Sequence, residues 1–278
     1  MKINRIIIIS LLILSAFIIA ACMKRYTHIS EPYESYVTPY IWQTYKTKNL
    51  PEQAEAARET WISNNPGWKC ELYDDADIDT YIQRYWSSKM YSFFKDLPIG
   101  VMKADLWRYL ILKTHGGVYS DIDSNCLKPV TEWEEEQQFD TKDILMISLE
   151  NDEHFCQWTI YSTKEHPAMK YICEYILDNY EEKGINIKDK NFVHSTTGPG
   201  VWTKAIISFL KEKDIGSFKN SGEVFKEYKK NLGIFNDIGI YILPKEYYDT
   251  IYSKNLYGSQ NFGDGYIKWT DEVKEING

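Results

Sequence analysis

The chain opens on a block that is apolar without any period and then settles into short apolar runs alternating with amphipathic stretches. From Ile6 to Met23 it reads IIIISLLILSAFIIAACM, broken only by Ser10 and Ser15. At ~1.5 Å per residue a helix of this run covers ~27 Å, the reach of a thin bilayer. Lys2 and Arg5 precede it and Lys24 and Arg25 follow, so charge sets no strong orientation. The pattern predicts a short tail at 1–5, a transmembrane signal anchor at 6–23, a polar stem at 24–38 and one folded domain at 39–278. Two alternatives stay open: a cleaved signal peptide, and a bacterial lipoprotein box at Ile19, Ala20, Ala21, Cys22 with Cys22 lipidated. All three readings put the folded part outside the cytosol.

Beyond the stem, Pro39 introduces YIWQTY, a β-type run, and Pro51 opens a helical stretch through EQAEAARETWIS. A Pro66–Gly67 turn leads into a second strand, WKCELY, and Asp74 and Asp75 begin a helix with Ile78 and Tyr81 on its apolar face. The clearest helix runs from about 98 to 114, where Met102, Leu106, Tyr109 and Leu110 recur at i, i+4, i+7 and i+8. His115, Gly116 and Gly117 stop it. Val118 to Ser120 then form a short strand ending in Asp121, Ile122, Asp123. Later runs predict strands at 144–150, 155–162 and 238–244, a helix entered through His166 and Pro167, and a helix after Gly198, Pro199, Gly200. Strand and helix alternate without internal repeats or Gly/Ser linkers, which predicts one mixed α/β domain.

Composition narrows the function classes. Asp+Glu number 40 against Lys+Arg 32, for a net charge of -8 over 278 residues, and no Lys/Arg-dense block exists to track phosphates. Nucleic-acid binding is therefore not expected. Tyr 22 and Trp 9 exceed what core filling needs. Cys70, Cys126, Cys156 and Cys173 show no CxxC spacing, which argues against zinc; disulfides and buried free thiols are equally open readings. There is no Asn-x-Ser/Thr sequon.

The chemistry gathers around residues 103 to 123. Asp121 and Asp123 lie two apart at a strand's carboxyl end, where open α/β sheets place ligands, and hard carboxylate oxygens suit Mg²⁺ or Mn²⁺. Alone, such a pair is also what a solvated turn or helix cap looks like, as Asp75, Asp77 and Asp79 illustrate. On the preceding helix Asp105 and Arg108 share a face at i, i+3, with Lys103 near the helix start. An acidic side chain there would hold ribose hydroxyls and a cation would meet phosphate oxygens; a surface ion pair is the bland alternative.

The stretch KADLWRYLILKTHGGVYSDIDSNCLKPV, residues 103 to 130, resembles the signature of glycosyltransferase family 32, which joins a K-A-D-x-x-R-Y helix, a Gly-Gly-x-Tyr turn and a D-x-D motif. Three further stretches are similar in the same order: IWQTYKT at 41–47, FCQWTIYSTKEHP at 155–167 and HSTTGPGVWTKAI at 194–206. The last two most resemble the fungal Golgi initiation-type α-1,6-mannosyltransferases within that family. The resemblance implies a GT-A type nucleotide-sugar-binding fold, a mixed and mainly parallel sheet flanked by helices, behind the N-terminal membrane helix.

Carried over by position, it also implies Mn²⁺ or Mg²⁺ on Asp121 and Asp123, and donor contacts from Gln43, Thr44, Lys103, Asp105, Arg108 and Asp121. Family members carry a His-x-Phe near the carboxyl end; here QNFGDGYIKW at 260–269 keeps Phe262 without the His, so Asn261 and Asp264 stand as substitute ligands. The implied reaction is hexosyl transfer with retention, in which the departing diphosphate itself takes the acceptor's proton. No base is assigned; Asp152 and Gln157 are the candidates, and Glu150, Asn151 and Asp152 follow the strand at 144–150 where they could face the acceptor, a loop of solvated polar groups being the favoured reading. Residues 194–200 offer a helix start to a phosphate or sugar oxygen, with Ser195, Thr196 or Thr197 as its cap.

The donor implied is GDP-mannose, with UDP-hexoses as alternatives, and the acceptor a glycan or glycoconjugate, in the Golgi or ER lumen. A non-catalytic glycan-binding module is the reading from a different class. Retention of Asp105, Arg108, Asp121 and Asp123 together speaks against it.

Overall fold

A computed structural model describes residues 35–256. The predicted anchor at 6–23, nearly all of the stem, and Asn261 and Asp264 lie outside the described residues. Among the described residues no helix is long and apolar enough to cross a membrane.

Strand β1 (Tyr40–Thr44) is followed by helix α1 (Glu52–Asn64), β2 (Lys69–Tyr73), α2 (Asp75–Tyr85), α3 (Ser88–Asp96), α4 (Gly100–His115) and β3 (Gly117–Ser120). Then come β4 (Ser124–Cys126), α5 (Val130–Gln137), β5 (Leu145–Ser148), β6 (Thr159–Ser162) and α6 (Pro167–Lys183). The remainder is α7 (Phe192–Thr196), α8 (Pro199–Glu212), α9 (Ser221–Lys230), α10 (Leu232–Asp237), β7 (Ile240–Leu243), a π-helical turn (Tyr247–Ile251) and β8 (Ser253–Asn255).

Six strands form one sheet in the order β2-β1-β3-β6-β5-β7, and β4 pairs with β8 in a separate ribbon. β1 runs parallel to β2 and β3, and β5 parallel to β7, while β6 is antiparallel to both of its neighbours. The result is a mixed α/β fold, as the alternation predicts, with a mainly parallel sheet, as the resemblance implies.

Side chains alternate strictly across this sheet, as a period of two requires. Trp42, Tyr119, Leu145, Ile147, Ile160, Ile240 and Ile242 enter the core shared with α4, α6 and α8. Ile41, Val118, Met146, Tyr161, Tyr241 and Leu243 enter a second core built on Trp61, Trp133, Tyr248 and Tyr252. Both faces are covered, so the strands read as unbroken apolar runs. The π-helical turn and the α1 and α5 helices supply the aromatic excess noted above, which thus fills cores as well as the cleft.

Helix α4 starts at Gly100, two residues later than its sequence pattern indicates, and is buried on nearly every side from Met102 to Leu112. It ends in a turn that only glycine allows. Gly116 and Gly117 adopt φ of 67° and 101°, and a Cβ would lie 2.5 Å from the Lys164 amide nitrogen in one case and 2.5 Å from the Tyr40 carbonyl oxygen in the other. This turn feeds the helix directly into the central strand β3.

The strand expected at 155–162 is shorter, Thr159–Ser162, because the preceding residues leave the ladder. Phe155 keeps a single bridge to Leu149, and the carbonyls of Gln157 and Trp158 are taken by groups around the Asp pair, described below. Cys70, Cys126, Cys156 and Cys173 are all free thiols, so the disulfide alternative does not hold. His166 caps α6: its Nδ1 accepts the Ala168 amide at 3.1 Å.

Candidate functional site

Because every sheet strand but β6 runs the same way, five carboxyl ends and the amino end of β6 meet at one edge of the sheet. A cavity of about 710 Å³ lies along that edge. Thr44, Tyr45 and Lys46 follow β1, Asp75 follows β2, Asp121 to Asp123 follow β3, Glu150 follows β5, Lys245 follows β7, and Gln157 and Trp158 precede β6; all of them line it. This is where open α/β sheets hold their ligands.

At the centre, α4 presents Asp105 and Arg108, 1% and 3% exposed. The Arg108 guanidinium pairs with Asp105 Oδ1 at 3.0 Å and with Asp121 Oδ1 at 3.1 Å, and donates to the Gln157 carbonyl at 2.8 Å. Its carbon stands 4.6 Å from the centre of the Tyr119 ring. Asp105 also accepts from Gln157 Nε2 at 3.1 Å and from the Thr197 hydroxyl at 3.2 Å. Tyr109 closes the network, donating to Gln157 Oε1 at 2.5 Å and the Thr197 carbonyl at 2.9 Å. Burial pushes the Asp105 carboxyl up to about 6 against the pull of Arg108. Burial opposes the Arg108 charge, but Asp121, Tyr119 and Asp105 hold its proton more firmly than in an ordinary arginine. The surface ion pair admitted from sequence is therefore excluded.

Asp121 and Asp123 sit in a tight turn between β3 and β4 rather than on an extended strand, closed by the Ser124 amide donating to the Asp121 carbonyl at 3.1 Å. The Asp121 amide donates to the Trp158 carbonyl at 2.8 Å, and the Tyr119 hydroxyl to Asp121 Oδ1 at 2.7 Å. Asp123 is 5% exposed, and its carbonyl accepts the Leu256 amide at 2.8 Å. Burial raises the Asp121 carboxyl, with Arg108 opposing. No group of three or more His, Cys, Asp or Glu able to hold a metal occurs among the described residues. The chemistry of the Asp pair, two hard carboxylates on one turn at the cavity wall, still fits a Mg²⁺ or Mn²⁺ that keeps water and phosphate oxygens as its other ligands.

The other residues singled out from sequence are distributed unevenly. Thr44 lines the cavity, whereas Gln43 is fully buried behind it, its Oε1 accepting from Arg58 at 3.0 Å and its Nε2 without a hydrogen-bond partner. Lys103 lies outside the main cavity, in a smaller depression beside α2 with Phe94, and Asp152 turns toward Gly222 on α9. Gln157 lines the cavity but is committed to Asp105 and Tyr109. Helix α8 has no side-chain cap, so the capping expectation for residues 195–197 gives way: the Thr197 hydroxyl serves Asp105 instead. Tyr119 is the tyrosine of the Gly-Gly-x-Tyr turn, although its contacts to Arg108 and Asp121 had no signal in the sequence. Lys245 and Asp249 had none at all, and strand order alone brings them to this edge.

Residues 51–140 match the family described as "Glycosyltransferase sugar-binding region containing DXD motif". The chain is 30% identical over 221 residues to an initiation-specific alpha-1,6-mannosyltransferase of Candida albicans, covering 68% of this chain and 56% of that protein. It is 30% identical over 202 residues to the Schizosaccharomyces pombe protein of the same name, covering 64% and 50%. The chain thus spans about half the length of these curated relatives. The solved PaToxG glycosyltransferase overlaps 73% of this chain and 78% of its own at 18% identity, with a TM-score of 0.49. The family match encloses Asp105, Arg108, Asp121 and Asp123 and contains the whole of the signature at 103–130.

Proposed function

We propose that the chain is a membrane-anchored, metal-dependent retaining glycosyltransferase of GT-A type, moving mannose from GDP-mannose onto a glycan acceptor in the Golgi or ER lumen. The observation that carries this reading is the buried Asp105–Arg108–Asp121 network, which fixes the Asp-x-Asp turn at the middle of the ligand-binding edge before any ligand arrives. The relatives' printed names, mannosyltransferases of fungi, support the choice of sugar.

In this reading the nucleoside lies over the ends of β1 and β2, beside Thr44 and Tyr45, and the diphosphate lies at the turn. Asp121 and Asp123 would hold Mn²⁺ or Mg²⁺, with Asn261 and Asp264, outside the described residues, as the further candidates the resemblance names. When bound, the cation supplies neutralisation of the charge that builds on the leaving diphosphate. Arg108 keeps the Asp121 carboxylate oriented, and Asp105 and Tyr119 keep Arg108 oriented, so no reorganisation is needed as charge develops. The chain's role is positioning and exclusion of water, with the leaving diphosphate taking the acceptor proton.

The test is a panel of GDP- and UDP-sugars with Mn²⁺, following nucleotide release. Release from GDP-mannose is expected; release from a UDP-hexose would reassign the donor, and silence across the panel would overturn the enzyme.

A further inference from the structure

Half of the cavity edge takes no part in the scheme above. It is built from the ends of β6, β5 and β7, on the opposite side of the Asp turn from β1 and β2, and presents Glu150, His154, Trp158, His194, Lys245 and Asp249.

Glu150 is held in a rigid loop. Its amide and that of Asn151 donate to the His154 carbonyl at 3.0 and 3.3 Å, and Asn151 Oδ1 accepts the amides of Glu153 and His154 at 2.8 and 2.9 Å. From outside, the Ser221 hydroxyl donates to the Asn151 carbonyl at 2.9 Å and the Gly222 amide to the Asp152 carbonyl at 2.8 Å, clamping the loop to the start of α9. The loop is held by these backbone bonds, yet the half-buried Glu150 carboxylate makes no hydrogen bond among the described residues. Burial raises its pKa, with Lys245 lowering it and Asp249 raising it. Lys245 is itself paired with Asp249 at 3.4 Å.

A half-buried carboxylate on a fixed backbone loses solvation without a replacement, a cost that a ligand bringing hydrogen-bond donors removes. Its charge excludes an anion, so the diphosphate belongs at the cation site and not here. A metal is also disfavoured, since Lys245 already supplies a cation beside this carboxylate. The ligand class left is neutral and rich in hydroxyls, because an ionised carboxylate only accepts. Trp158 adds an indole to the same wall, half-buried and 6.2 Å from the Tyr248 ring centre. An aromatic face beside a small number of fixed polar groups is how pockets orient such ligands. His154 and His194 stand ring to ring at 4.5 Å, and burial lowers both from the usual imidazole range, so they add neutral donors and acceptors.

Resting on the glycosyl-transfer reading, we infer that this wall is the acceptor subsite, in which Trp158 packs on the apolar face of a pyranose and Glu150 accepts hydrogen bonds from its hydroxyls. Glu150 is thereby a specificity-determining residue, and Lys245 sets its charge environment.

Saturation-transfer NMR on the detergent-solubilised full chain, with Mg²⁺ and GDP present and methyl α-mannopyranoside and methyl α-glucopyranoside as probes, reads binding without turnover. Saturable binding of at least one glycoside is expected. Glu150→Gln, which keeps the side-chain shape, should weaken it about tenfold through loss of the charge-assisted bonds. Trp158→Phe, an independent variant that retains a ring, should weaken it about threefold. Failure of both glycosides to bind the native chain, or unchanged binding by both variants, overturns the subsite. Nucleotide release from the donor panel reports separately: glycoside binding without release removes the transferase reading and leaves the subsite, whereas donor hydrolysis without glycoside binding does the reverse.

Discussion

The two halves of the cavity edge are built on different principles. Both Asp105 oxygens, both terminal nitrogens of Arg108 and Asp121 Oδ1 already have partners, while the buried Arg108 Nε has none among the described residues, and the side chains of Asp105 and Arg108 are 2% and 4% exposed. Across the cleft the Lys245 and Asp249 side chains are 55% and 39% exposed and Glu150 has no hydrogen-bonded partner among the described residues. The first half is held in place by its own ion pairs, and the second offers a carboxylate for a ligand to pair. Preorganised charge serves chemistry, since dipoles set in advance need not turn while charge moves. Unfilled hydrogen-bonding capacity serves selection, because a wrong ligand leaves it unfilled.

Three experiments probe this contrast. The largest effect should follow Asp123→Ala or Asp121→Ala, which removes a proposed cation ligand from the ion-paired half. Turnover of the donor is expected to fall by about a thousandfold or more in steady-state assays, with EDTA doing the same to the native chain. Full activity in EDTA would refute the cation's role.

Next, Arg108→Met leaves the buried Asp105 and the partly exposed Asp121 without their counter-charge and should cost about 3 kcal/mol of stability in urea unfolding at neutral pH. Lys245→Ala, in the open half, should stay within about 0.5 kcal/mol of the native chain. Equal losses from the two would erase the distinction between the halves.

The smallest effect sets the pH window for the comparison. His166, fully buried at the start of α6, is lowered to about 4 by burial, below the ordinary histidine value of 6.5. Its neutral form is the one folded, so its contribution is present above pH 6.5 and is lost as pH falls toward 4, on the order of 3 kcal/mol in all. His166→Asn, which keeps a capping side chain, should flatten that part of the stability profile between pH 7 and pH 4.5. An unaltered profile would place the acid sensitivity elsewhere.

Much of this was legible before the fold. The apolar spacing from Met102 to Leu110 located α4, and the paired glycines located the turn that follows it. The Asp-x-Asp after a short strand pointed to the sheet edge along which the cavity lies. Other features were hidden for identifiable reasons. Gln157 sits in an apolar run that reads as strand, and only the capture of its carbonyl by Arg108 and of the Trp158 carbonyl by Asp121 shows why the chain leaves the ladder there. Lys103 and Asp152 look equivalent in sequence to residues that reach the cavity, but the helix face of one and the clamped loop of the other carry them elsewhere.

By itself the sequence determined the main strand–helix alternation from β1 to β3, the signature at 103–130, and the acidic residues available for a cation, because these depend on local spacing and residue chemistry. The tertiary structure decided which charges are paired. Thr197 reaches Asp105 across 92 positions and Gln157 reaches it across 52. It also decided that β6 runs against its neighbours, which puts Trp158 and Gln157 at the same edge as Glu150 and Lys245. Strand order and direction come from how whole elements bury their apolar faces, and no local pattern encodes them.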